Sequence, residues 1–196
     1  VAKFRMKGVY ENIGKTDSLS VTFNLLAKDE NIWDLYGTRT RVQMQKACPF
    51  ELSTFEGYCL LTSSFFSAYM TNTEHRLLQA ERDKAEDNTI ILHDFFYKNY
   101  DLKIKYDPSD PLKPFVEFDE QIIGSTAEAF GTIYGNGKLM CDQPVAYDSY
   151  YNVCQKFVIL YTTIYVVGKG TVGTYVNILE WISDEEAEQY KKEEGL

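Results

Sequence analysis

Histidine is scarce in this chain: His75 and His93 are the only two in 196 residues. No two cysteines stand in a C-x-x-C pair. A Cys/His zinc site would have to gather ligands from far-separated parts of the chain, so no metal is expected. Prolines number 5, and three of them crowd into "DPSDPLKP", which cannot continue a central strand. Long apolar runs are missing too. The longest uncharged one, Phe157 to Val167, contains Thr162, Thr163 and two tyrosines. It is shorter than the roughly 20 residues a bilayer-spanning helix needs, so no integral membrane segment is expected. Positive charge is short: 20 Lys and Arg against 29 Asp and Glu leave a formal net charge of −9. That balance argues against nucleic acid, or an anionic membrane surface, as the main partner. No secretory leader is legible, because Val1 is followed by Lys3, Arg5 and Lys7 in a strand-like pattern; this fits a mature form or a cytosolic protein.

Aromatic residues are abundant, with 15 Tyr, 12 Phe and 2 Trp. Large rings suit strands and cavity linings, where they fill space at low entropic cost. Period-two alternation dominates. Leu19, Val21, Phe23 and Leu25 share one face of "SLSVTFNLLA", and Val42 and Met44 one face of "TRTRVQMQK". Leu102, Ile104 and Tyr106 alternate with charged residues in "YDLKIKYD". "NTIILHDFFY" reads as a strand covered on both sides, with His93 on the face of Ile91, Phe95 and Tyr97. "SSFFSAYM" and "FVILYTTIYVV" place Phe66 with Ala68, and Tyr161 with Tyr165, on shared strand faces. Asn136-Gly137 predicts a type I′ hairpin from a strand ending near Tyr134 to one through Leu139 and Cys141. Two segments read as helix. "TNTEHRLLQAERDKAED" offers Thr71 and Glu74 as a capping box, with a long strand running into a charged turn as its competitor. "SDEEAEQYKKEEGL" has Ser183 as N-cap, acids first and lysines later. With no repeat and no linker, residues 1–196 are expected to form a single domain. Its class is mainly β: an antiparallel, closed or nearly closed barrel with one or two short helices, one of them C-terminal.

Gly168, Gly170 and Gly173 in "VVGKGTVGTYVNI" spell G-x-G-x-x-G after an apolar run. A dinucleotide turn needs a helix starting within the glycines, so that its N–H groups meet a pyrophosphate. Here β-branched and aromatic residues follow, with too little chain left for a βαβ unit. A P-loop fails as well, because Gly170 stands where Ser or Thr should follow Lys169. The glycines are expected to mark a hairpin between the last two strands, and no cofactor is expected beyond a bound lipid or pigment.

Cys48, Cys59, Cys141 and Cys154 are even in number, as two disulfides in an oxidising compartment would require, with three connectivities open. Pairing Cys48 with Cys59 and Cys141 with Cys154 would close two short loops. Four reduced, partly buried thiols are the alternative. The disulfide reading implies a secreted or otherwise non-cytosolic protein.

The opening "KFRMKGVYENI" resembles the first strand of a lipocalin: Phe4 and Gly8 match, while Tyr10 stands where the family has Trp. The acidic segment from Ser183 is similar to that family's C-terminal helix. "FEGYCLLTSSFFSAYMTNTEHRLLQ" is similar to the T-type phycobiliprotein lyases, with Glu74-His75-Arg76 in place of their Pro-Tyr-Arg. The lipocalin resemblance implies an eight-stranded barrel with a hydrophobic molecule in its mouth.

Three functions compete. A carrier of a small hydrophobic molecule (lipid-, pigment- or aromatic-type) would line its pocket with Trp33, Tyr36, Phe66, His93, Phe95, Tyr134, Tyr161 and Tyr165. An isomerase or lyase would use His93 or an interior acid such as Glu128 to move a proton. A structural or partner-binding subunit needs no pocket, and its partner would be a protein or a second copy of the chain.

Overall fold

A computed structural model describes residues 18–24, 39–45, 48–70, 73–110 and 113–195. The chain divides into two compact units, Val1–Cys48 and Pro49–Leu196. In the first, β1 (Ser18–Asn24) and β2 (Arg39–Gln45) pair antiparallel, with Val21 opposite Val42. Both are strands that the alternation predicts.

The second unit opens with a 3-10 turn (Leu52–Phe55), then β3 (Gly57–Ser63), α1 (Ser64–Tyr69), β4 (His75–Arg82), β5 (Thr89–Leu92) and β6 (Leu102–Asp107). It continues with β7 (Phe115–Glu117), β8 (Gln121–Ser125), α2 (Thr126–Phe130), β9 (Lys138–Asp142) and β10 (Tyr150–Asn152). The last elements are β11 (Phe157–Val166), β12 (Gly170–Ile182) and α3 (Asp184–Glu194). Eight strands, β3 to β7 and β10 to β12, each pair antiparallel with the next in chain order, and β12 returns to pair with β3. The result is a closed up-and-down barrel, which satisfies the strand edges that an open sheet would expose.

The wall forks where β10 is too short to follow β11. β10 covers Phe157–Ile159 of β11, and β9 takes over at Thr163–Tyr165. On the far side of the fork, the Gln121 side chain stands in for a missing strand. Its carbonyl accepts from the Lys103 N–H at 2.8 Å and its amide donates to the Lys103 carbonyl at 2.9 Å.

Alternate residues point inward, as the period-two pattern requires. Leu61, Ile90, Leu92, Leu102, Ile104, Val158, Leu160 and Leu179 form the aliphatic middle of the barrel, all fully buried. Such burial contributes roughly 1.5–3 kcal/mol per side chain against the entropy of ordering it. A polar cluster of Asn177, Ser63 and Thr162 interrupts this layer. The Asn177 carbonyl accepts from Ser63 Oγ at 2.6 Å, and its amide donates to the Leu160 carbonyl at 2.9 Å and Thr162 Oγ1 at 3.0 Å. With those bonds made, its desolvation is offset.

Four local expectations change. The helix expected from "TNTEHRLLQAERDKAED" is strand β4, the competing reading, because pairing with β3 and β5 buries Leu78 and Ala80, whereas its helical face is thin. "SSFFSAYM" is helix α1 rather than a strand: Ser63 Oγ accepts from the Phe65 N–H and starts a turn. The strand expected through His93 stops at Leu92, since Asp94 takes a φ of 54° and turns the chain. No hairpin joins two strands at Asn136-Gly137. Instead α2 intervenes, begun by a Ser125–Glu128 capping box, and the turn closes through the Gly137 N–H to the Tyr134 carbonyl. The glycine motif does connect β11 to β12, with positive φ at Gly168 and Gly170. α3 starts at a Ser183–Glu186 capping box.

Candidate functional site

The barrel interior is the first place to look for a guest, and aromatic rings close it at both ends. Where β10 turns into β11, Phe55 stacks on Tyr106 at 4.6 Å and meets Trp181 edge-on at 5.1 Å and Tyr151 at 5.7 Å. Phe50 covers Tyr151 at 5.5 Å. Where β11 turns into β12, α1 and residues 93–101 supply the second layer. Phe65 stacks on Phe96 at 4.7 Å, and Phe95 lies 4.4 Å from Phe96. Arg76 pins this loop by donating to the carbonyls of Phe96 at 2.7 Å and Asp94 at 3.1 Å.

The pocket residues expected from the sequence occupy separate places. Phe66 and Phe95 are buried in the second ring layer. Tyr161 faces outward and stacks on Tyr147 at 5.0 Å. Tyr165 lies partly exposed and donates its hydroxyl to Glu120, a bond that raises its pKa to about 12. Tyr134 is exposed beneath Lys169. Trp33 and Tyr36, like Phe4, Gly8 and Tyr10 of the lipocalin resemblance, lie outside the described residues. Phe55, Tyr106, Tyr151, Trp181, Phe65 and Phe96, which do most of the filling, were not candidates. Inward alternation marks Tyr106 and Trp181, but Phe55 and Phe96 sit in turns that no periodicity flags.

His93 follows β5, with Nδ1 3.0 Å from Asp101 and Nε2 3.3 Å from Glu81. Both ring nitrogens are engaged by carboxylates. Glu128 is committed to the α2 capping box, accepting from the Ser125 N–H and Oγ. Among the described residues, no group of three or more His, Cys, Asp or Glu could hold a metal ion.

Cys48 and Cys154 form a disulfide, whereas Cys59 and Cys141 are free and buried. The sequence-local pairs are thereby corrected. Cys59 and Cys141 are strand residues whose side chains face the core. Burial pushes the Cys59 thiol well up and that of Cys141 to about 12, so neither is a poised nucleophile.

An open groove of about 470 Å³ lies at the fork in the wall, lined by Lys103, Lys105, Glu86, Glu117, Asp119 and Gln121 among others. Lys103 is already engaged by Asp83, whose carboxyl is held below the ordinary range by that bond and by the Ala85 N–H. A lowered folded pKa stabilises the protein above the unfolded value of about 3.9, and the contribution is lost as pH falls through the folded value. Asp83→Asn is therefore expected to flatten the loss of melting temperature below pH ~4. Superimposable acid limbs for the two proteins would contradict this.

No helix among the described residues is long and apolar enough to cross a membrane. No curated protein and no solved structure matches this chain. Residues 35–193 match the family described as a domain of unknown function, DUF4984, and the chain belongs to that family.

Proposed function

We propose that this chain is a non-catalytic, partner-binding protein: a barrel filled by its own side chains, with recognition on its outer surface. The observation that carries the reading is the ring-to-ring packing at both barrel ends, where Phe55, Phe65, Phe95 and Phe96 are each 0% exposed. Rings packed against one another in this way favour an interior filled by the chain's own side chains over one that holds a guest. The outward Tyr147, Tyr150 and Tyr161, beside the exposed Val145, are side chains of the kind enriched where proteins meet. The Cys48–Cys154 disulfide supports an oxidising, non-cytosolic compartment.

Carriage of a small hydrophobic molecule is the second reading. It draws on the up-and-down topology, which the lipocalin resemblance implies. It also draws on Tyr97 Oη, Tyr106 Oη and Trp181 Nε1, three buried polar atoms without a hydrogen-bond partner. A guest would satisfy them, and so would ordered water. Proton-transfer catalysis has less behind it, with His93 held between two acids and Glu128 capping a helix.

Titration with cis-parinaric acid separates the readings. The partner-binding reading expects no saturable one-to-one site. A saturable site that a second fatty acid displaces would restore the carrier.

A further inference from the structure

The barrel end at which β11 turns into β12 exposes apolar side chains that no contact among the described residues covers. Ile133 and Tyr134, on the α2–β9 connection, are 78% and 49% exposed, and Val167 on the β11–β12 turn is 50% exposed. The two connections touch. A Cβ added to Gly135 would lie 2.7 Å from Val166 Cγ1 and 3.0 Å from Lys169 Cγ, and Lys169 Nζ sits 5.5 Å from the Tyr134 ring centroid. Behind this tip, Tyr69, Phe130, Val172 and Tyr175 are half-buried against the core. The tip is held in shape: the Tyr134 N–H donates to Thr126 Oγ1 at 2.8 Å, and the Gly137 N–H to the Tyr134 carbonyl at 3.0 Å.

Its charge is unlike that of the rest of the chain. The segments 129–141 and 166–174 contain no acid, although the whole chain has 29, and they contribute Lys138 and Lys169, both exposed. Of the acids bordering these segments, Glu128 is turned back onto Ser125, Asp142 is exposed but sits opposite Thr163, four residues before Val167, and Glu120 accepts from the Tyr165 hydroxyl.

We propose that this end docks on a phospholipid bilayer surface. Ile133 and Val167 enter the boundary between headgroups and acyl chains, Tyr134 lies at headgroup depth, and Lys138 and Lys169 meet lipid phosphates. Two touching loops that expose apolar side chains with cations beside them match a surface that is soft, apolar within and lined by phosphate. The net charge of −9 disfavours a strongly anionic membrane, so the apolar side chains drive attachment to zwitterionic lipid. Attachment through so few side chains is weak and reversible. The proposal goes beyond the partner-binding reading and stands on a different observation, since neither a filled nor an occupied interior changes this end.

Flotation of the full chain with phosphatidylcholine vesicles tests it. The protein is expected to float with the vesicles, and the double variant Ile133→Asp/Val167→Asp to lose at least about tenfold in partition, as apolar transfer is replaced by charge. Lys192→Ser, an exposed position on α3, is expected to float as the parent does. Equal melting temperatures confirm that the variants fold, as their exposed positions predict. Failure of the parent to float, or equal flotation of the double variant, overturns the proposal. Capture of a protein by this end without flotation makes it a protein interface and overturns it too.

Discussion

Phe55→Ala is expected to lower the unfolding free energy by about 3–5 kcal/mol, among the largest losses any single truncation in this chain would produce. Phe55 is 0% exposed and contacts Phe50, Tyr106, Tyr151 and Trp181 at once. Truncation removes the apolar transfer of the ring and opens a void. The surrounding rings belong to four different chain segments, which cannot collapse into the space together. Urea unfolding followed by near-ultraviolet circular dichroism measures the loss. A midpoint that does not move would mean that the ring layer is loosely packed and the interior not filled.

Breaking the Cys48–Cys154 disulfide carries the second large effect. It closes a loop of roughly 100 residues, for which chain entropy alone gives a ceiling near 4.7 kcal/mol; measured bridges more commonly contribute about 2–4. Dithiothreitol is expected to lower the melting temperature of the parent and to leave Cys154→Ser, which already melts lower, unmoved. Cys59 and Cys141 are buried and unpaired, so their substitution should not abolish the response to reductant. A parent insensitive to complete reduction would contradict this account of the bridge.

The barrel was legible because its physics is local and repeated. Alternation in "YDLKIKYD" places Leu102, Ile104 and Tyr106 on one face, and each is buried in the barrel; the run from Phe157 alternates too, but the buried face is that of Val158 and Leu160 rather than of Tyr161 and Tyr165. Turn chemistry placed the β11–β12 connection and the N-cap of α3. What the pattern hid was set by partners distant in the chain. β4 looks helical until β3 and β5 pair with it on either side. The disulfide joins residues from opposite halves of the sequence because Cys59 and Cys141 are claimed by the core. The fork at β8 and β9, bridged by the Gln121 side chain, has no sequence signature, since an amide imitating a strand looks like any surface glutamine.

The candidate site was harder to read than the fold. Aromatic abundance was evident, but abundance alone does not distinguish rings that line a cavity from rings that fill one. That distinction depends on contacts between rings from distant segments, such as Phe65 on Phe96 at 4.7 Å and Phe55 on Tyr106 at 4.6 Å. His93 looked like a polar handle on an apolar face. The turn at Asp94 instead places it between Glu81 and Asp101.

Whether side chains of the chain itself occupy the inside of the barrel is tested most directly by the native mass of protein isolated from its source without denaturation. The account predicts the mass of the chain with one disulfide, unchanged by delipidating extraction. A stoichiometric additional mass, released on unfolding and accompanied by a lower melting temperature once removed, would contradict it.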